Sequence, residues 1–257
     1  MTRTGTIEDH VGRGGIRFDA GRHHKAKLGF VLLAMEQTIE EDMFKLAPDG
    51  VGVHFQRAPM ANRIDVDTLA SMVSGIGDAA ALITPDVQLD TICYACTSGS
   101  VVIGEDRVFA ELNRGAPGAK PTSIISGVMR GLEALNTKKI VVATPYVDPV
   151  NEIERRYMEE RGFDVLHIEG LSIENDEDMV RVTPDYILEF AKQVDRPEAE
   201  AIFISCGALR SVDIIEALEQ ETSKPVVTSN QAMMWDCMRL AGVRDKHNRY
   251  GRLFKDF

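Results

Sequence analysis

Two of the four cysteines in this 257-residue chain stand at equivalent places in what reads as one pattern written twice. The run Leu89-Asp90-Thr91-Ile92-Cys93-Tyr94-Ala95 breaks at Cys96-Thr97-Ser98-Gly99, and the run Ala199-Glu200-Ala201-Ile202-Phe203-Ile204-Ser205 breaks at Cys206-Gly207-Ala208. An apolar run, then small residues, then a helix pattern predicts a strand-to-helix turn that carries the thiol. The unpaired N–H groups of a helix N-terminus favour an anion, so each thiol is expected to ionise below its ordinary pKa of about 8.5. A thiolate serves as base or nucleophile, and its protonated partner serves as acid. One thiol from each half could therefore remove a proton from one face of a carbon and return one to the other. Cys93, inside its run, and Cys237, beside Trp235, read instead as small buried side chains. Residues three apart in a strand point to opposite faces, which argues against a Cys93–Cys96 disulfide.

The neighbours of the two thiols suit an anionic substrate. Thr97-Ser98-Gly99 and Gly207-Ala208 offer backbone N–H groups and, in the first half, two hydroxyls. These could cradle a carboxylate or enolate, and Thr and Ser also suit ordinary helix capping. Tyr146 follows Thr144-Pro145 at a strand end and brings either a hydroxyl for a substrate oxygen or a half-buried loop aromatic. Asn151 and Asn230 read as helix-start residues, Asn175-Asp176-Glu177-Asp178 as a solvated acidic turn, and His54 and His167 as mid-strand residues. His23-His24 lack partners spaced for a metal, and Gly12, Gly14 and Gly15 do not follow a strand. Serine-hydrolase, P-loop, zinc-protease and dinucleotide patterns are absent. No organic cofactor and no metal is expected.

Positioning these loops requires a repeated α/β frame. Apolar strand patterns at Lys27–Ala34 and Lys139–Ala143 are each followed by an acidic helix pattern, Thr38–Leu46 and Pro149–Arg161. Strands at Val51–Gln56 and Val165–Glu169 come next, then helices at Val66–Ala80 and Thr183–Val194. Each cysteine strand follows, with helices at Glu105–Asn113 and Val212–Glu221, then Lys120-Pro121 and Lys224-Pro225, then helices at Ser126–Leu135 and Ala232–Ala241. Such alternation predicts parallel sheets with ligands beyond the carboxyl ends of the strands. There Cys96, Cys206, Met35-Glu36-Gln37 and Thr144-Pro145-Tyr146 would line one cleft.

Bulk properties narrow the partners. The formal net charge of -11, with no basic stripe, excludes nucleic acid. No apolar stretch is long enough to span a bilayer, and residues 1–27 lack the apolar segment of a secretory signal. A cytoplasmic location is expected, and a homo-oligomer is allowed.

Tyr94-Ala95-Cys96-Thr97-Ser98-Gly99, Ala143-Thr144-Pro145-Tyr146-Val147-Asp148-Pro149-Val150-Asn151-Glu152, Ser205-Cys206-Gly207-Ala208-Leu209, Pro225-Val226-Val227-Thr228-Ser229-Asn230-Gln231-Ala232 and the ending Gly251-Arg252-Leu253-Phe254 resemble the aspartate/glutamate racemase superfamily. The branch they are most similar to holds maleate cis-trans isomerases, arylmalonate decarboxylases and ectoine-utilisation A proteins, the last above all. The resemblance implies two pseudo-symmetric α/β lobes, each a short parallel sheet flanked by helices, with the active site between them. It divides the chain into an arm (1–26), one lobe (27–122 with 227–257) and a second (123–226). It implies Cys96 and Cys206 as catalytic, and Thr97, Ser98, Tyr146, Gly207, Glu36 and Asp176 as contacts to a small carboxylate. The decarboxylases keep only the second thiol, so two thiols favour a racemase or isomerase. Maleate isomerases carry one Asn near the position of Glu36 and another near Asn175 or Asp176. The ectoine-utilisation likeness implies an amino-acid-derived substrate, with Glu36 meeting a cationic group. The alternatives are a maleate cis-trans isomerase, an arylmalonate-type decarboxylase and a non-catalytic small-molecule binding protein.

Overall fold

The computed structural model describes residues 16–60 and 66–257. Most of the expected arm, with Gly12, Gly14 and Gly15, lies outside the described residues. The chain runs β1 (Ala26–Leu33), α1 (Ile39–Leu46), β2 (Val51–Ala58), α2 (Val66–Ser71), α3 (Val73–Ala81), β3 (Thr91–Tyr94), α4 (Thr97–Ile103), α5 (Glu105–Gly115), β4 (Lys120–Ser123) and α6 (Ile124–Ala134). It continues as β5 (Lys139–Thr144), α7 (Asp148–Glu160), β6 (Asp164–Gly170), α8 (Asp176–Met179), α9 (Pro184–Val194), β7 (Ala201–Ile204), a 3-10 turn (Val212–Ile214), α10 (Ile215–Thr222), β8 (Val226–Thr228), α11 (Ser229–Ala241) and α12 (Gly251–Asp256).

The strands form two parallel four-stranded sheets of identical order, β2-β1-β3-β4 and β6-β5-β7-β8. β1 and β5 are the second strands of their sheets and are buried on both faces, which is why they read as unbroken apolar runs rather than alternations. Pro121 sits in β4, an edge strand, where a missing N–H is tolerated. β8 pairs with β7, so Val227 and Thr228, expected with the first lobe, belong to the second sheet.

α6 and α11 pack on each other between the sheets. Gly127 allows that approach, because a Cβ there would stand 2.9 Å from the Ala232 carbonyl oxygen. Phe30 and Leu32 of β1, Val142 of β5, Phe203 of β7, Val128 of α6 and Met234 of α11 share this inner core. Each such side chain contributes roughly 1.5–3 kcal/mol on burial. A second core joins Ile76 and Leu112 on α3 and α5 with Ile187 and Leu218 on α9 and α10, through the cysteine loops.

Three local expectations change. The helix predicted at Val66–Ala80 is two helices that meet at Met72. α4 begins immediately after Cys96, earlier than the helix pattern suggested. No helix begins at Cys206: turn residues follow it, and the regular chain resumes only at Val212. Cys206 instead has φ +93, in the half of backbone space that side-chain-bearing residues seldom adopt.

Candidate active site

β3 and β7 end side by side in sequence logic and in space, and both thiols line one cavity of about 20 Å³, room for about one water molecule. Glu36, Thr97, Ser98, Tyr146, Asp176 and Gly207 line it too, together with Leu33 and Leu69. Residues from the loops after β1, β3, β5, β6 and β7 therefore meet at the carboxyl ends of both sheets. His54 and His167 do not line the cavity.

The Cys96 sulfur is the N-cap of α4 and accepts the Gly99 N–H at 3.2 Å. Ser98 Oγ lies 3.9 Å from it. Gly99 is required here, since a Cβ would come within 2.8 Å of the Cys96 sulfur. The Cys206 thiol meets the Tyr146 hydroxyl and the Ala208 N–H, with Met179 Sδ at 4.0 Å. Tyr146 is only 2% exposed, not half-buried, and lines the cavity with both thiols.

Both thiol pKa values are raised, against the expectation of lowered ones. Burial pushes Cys96 up to about 11, opposed by the Gly99 N–H and the Ser98 hydroxyl, and reinforced by Asp176. Burial also holds Cys206 well above the ordinary range, with Asp176 and Glu36 adding to the effect. Desolvating a thiolate costs more than one helix end returns.

The carboxyls are equally displaced. Glu36 Oε1 accepts the Thr38 and Ile39 N–H groups at 2.5 and 3.0 Å, which caps α1. Burial still raises its pKa against those bonds. Asp176 is not solvated: it is the first residue of α8, 7% exposed, and burial followed by the charge of Glu36 raises its pKa to about 7. Its Oδ2 is buried and meets no hydrogen-bond partner. Asn175, not Asp176, makes the capping bond, accepting the Asp178 N–H at 2.9 Å.

Behind the cavity stand residues whose role the sequence did not signal. Ser229 Oγ accepts the Cys206 N–H at 3.0 Å and shares a hydrogen bond with Thr97 Oγ1 at 3.1 Å, joining the two cysteine loops. Ser205 Oγ donates to the buried Glu154 at 2.7 Å, whose pKa burial lifts to about 7. Asn230 does not cap α11, a task done by Thr228 with Gln231. Its amide donates to Asp42 and to the Gly207 carbonyl, both at 2.8 Å. Asn151 accepts from Thr144 Oγ1 at 2.6 Å and holds the turn before Tyr146 rather than starting α7. Cys93 is fully buried in contact with Cys237, away from the cavity.

Known proteins are similar to this chain in sequence and in fold. Residues 62–254 match the arylmalonate decarboxylase family. The arylmalonate decarboxylase of Bordetella bronchiseptica is 34% identical over 146 residues, 56% of this chain and 61% of that enzyme, so the match spans less than two thirds of its length. The maleate isomerase of Nocardia farcinica is 25% identical over 224 residues, 83% of this chain and 89% of that enzyme. A solved structure of the Nocardia farcinica maleate cis-trans isomerase, a mutant with a covalently bound succinylcysteine intermediate, superposes with TM-score 0.81 at 22% identity, covering 90% of this chain and 99% of that one. The shared fold is thus two parallel sheets flanked by helices.

Proposed function

Because the chain belongs to the arylmalonate decarboxylase family, whose relatives here are enzymes, we propose that it is a cofactor-independent isomerase of a small carboxylate, with Cys96 and Cys206 as the reacting groups. One observation carries the reading: two thiols from opposite halves line one small cavity with the hydroxyls of Thr97, Ser98 and Tyr146. The donors hold the substrate carboxylate. One thiolate takes the proton alpha to it, the electron pair enters the carboxylate as an enediolate, and the opposite thiol delivers its own proton to the other face, becoming the thiolate. Burial raises both thiol pKa values, so the bound substrate has to stabilise the reacting thiolate.

A second use of the same atoms is supported by the succinylcysteine found in the Nocardia farcinica enzyme. A thiolate adds to an alkene carbon, the π pair moves into the conjugated carboxylate, the resulting single bond rotates, and that pair re-forms the alkene as the sulfur leaves with the C–S pair, giving cis-trans isomerisation. Decarboxylation is the weaker reading, since the sequence offers a second thiol which that reaction does not use.

The test is exchange of the alpha proton in deuterated water, followed by NMR over a panel of small carboxylic acids. Cys96→Ser and Cys206→Ser should each lower turnover by about a thousandfold or more. Full activity in either variant removes the two-thiol mechanism, and release of carbon dioxide that persists in Cys96→Gly assigns decarboxylation instead.

A further inference from the structure

The cavity carries two carboxyls and no cation. Glu36 comes from the loop after β1 and Asp176 from the segment after β6, so the fold, not sequence proximity, brings them to one wall. No lysine, arginine or histidine lines that wall among the described residues. Arg57, whose charge reaches Glu36, is committed elsewhere: it binds Glu40 at 2.7 and 3.0 Å and the Glu36 backbone carbonyl at 3.1 Å. Asp176 is more than nine-tenths buried, and its Oδ2 has no donor. An unsatisfied buried acceptor costs about 1–3 kcal/mol, and like charges in a shared cavity repel, so the pair lacks a cationic partner among the described residues.

We propose that Glu36 and Asp176 form a subsite for a positively charged nitrogen, an ammonium or amidinium, and that the substrate is a small zwitterion rather than a dicarboxylate. Its carboxylate lies on the neutral donors Thr97, Ser98, Tyr146 and Gly207, and its cation lies between the two acids. This inference rests on the cavity being the substrate site proposed above. A dianion would set its second carboxylate against two acids, with no cation among the described lining residues to offset it. A cation there does the reverse: it satisfies Asp176, and it offsets the two carboxyl charges that disfavour ionisation of the thiols. A substrate with a cation at this position therefore favours formation of the thiolate.

Calorimetric titration of the intact protein near neutral pH with 4-aminobutanoate, butanoate and succinate tests this without requiring turnover. The three share a four-carbon acid and differ in whether the far end is cationic, apolar or anionic. The zwitterion should bind about tenfold or more tightly than butanoate, and succinate most weakly. Asp176→Asn should reduce the preference for the zwitterion by about tenfold. Glu36→Gln keeps the oxygen that caps α1 and should act in the same direction, so it carries the test if Asp176→Asn does not fold. Tighter binding of succinate than of 4-aminobutanoate, no binding of any of the three, or a preference untouched in the folded variants each overturns the subsite. An inert protein that still prefers the zwitterion leaves the subsite standing while the isomerase reading falls. Thiol-dependent turnover of maleate, with succinate bound more tightly than the zwitterion, has the opposite consequence.

Discussion

Cys96 and Cys206 follow equivalent strands, β3 and β7, in sheets of the same order, yet the chain holds them by different means. Cys96 has an extended backbone, φ -133, and its sulfur is locked by the helix that begins beside it. Cys206 has φ +93, a conformation costly for a residue with a side chain, and no helix follows directly. Its strain is held by long-range contacts: Ser229 on its N–H, Glu154 behind Ser205, and Asn230 with Asp42 on the Gly207 carbonyl. Ala95, the counterpart of Ser205, offers no hydroxyl for such a brace. Repeating a chain twice reproduces the frame, then, but not the loop on which a reacting group sits. One thiol is positioned by local hydrogen bonds and the other by residues gathered from α1, α7 and α11.

The sharpest test of this contrast concerns the brace behind Cys206. Glu154 has a folded pKa of about 7 against an ordinary 4.5, so the folded state holds its proton more tightly. A carboxyl raised in this way weakens the fold as pH climbs from about 4.5 through 7. Glu154→Gln should therefore match wild type at low pH and exceed it by about 3 kcal/mol near pH 8, measured by urea unfolding. A constant gap between the two proteins would mean that the acid does not brace the loop in its neutral form.

Gly99→Ala and Gly207→Ala separate the loops next. A Cβ at residue 99 meets the reacting sulfur at 2.8 Å, whereas one at 207 meets the Ile39 Cδ1 methyl at 2.7 Å, the movable end of a side chain. Displacing the sulfur by about 1 Å should lower turnover roughly a hundredfold, and the second variant should lose less than about tenfold. Equal losses would erase the distinction.

The smallest effects lie in stability at the cysteines themselves. Cys206→Gly should be about 1 kcal/mol more stable than Cys206→Ala, because glycine accepts positive φ without strain. At residue 96, Ser should exceed Ala by about 1 kcal/mol, because its oxygen can replace the sulfur as the cap of α4. Thermal unfolding of the four variants decides both, and the reversed order at either position breaks the comparison there.

Much of the frame was legible in the chain. Lys27–Ala34 and Lys139–Ala143 matched β1 and β5 to within a residue at each end, because buried parallel strands are plain apolar runs. The residues singled out around the thiols meet at one cavity. The break at Met72 and the non-helical Cys206 loop were not legible, since Val212–Glu221 carries helical periodicity whatever precedes it. Asp42 and Glu154 gave no signal either, and Ser229 stood only inside a motif of the family resemblance. Each has a residue type common on exposed helices, and only burial makes it a brace.

Order along the chain set two matching α/β halves and put a thiol after the third strand of each, because hydrophobic period and small-residue breaks are local properties of the polymer. Tertiary structure decided that burial raises both thiol pKa values, that one thiol sits on a strained backbone, and that two acids share one cavity wall with no cation among its described residues. Those outcomes depend on water excluded and charges approached by residues tens to hundreds of positions apart, which no window of sequence contains.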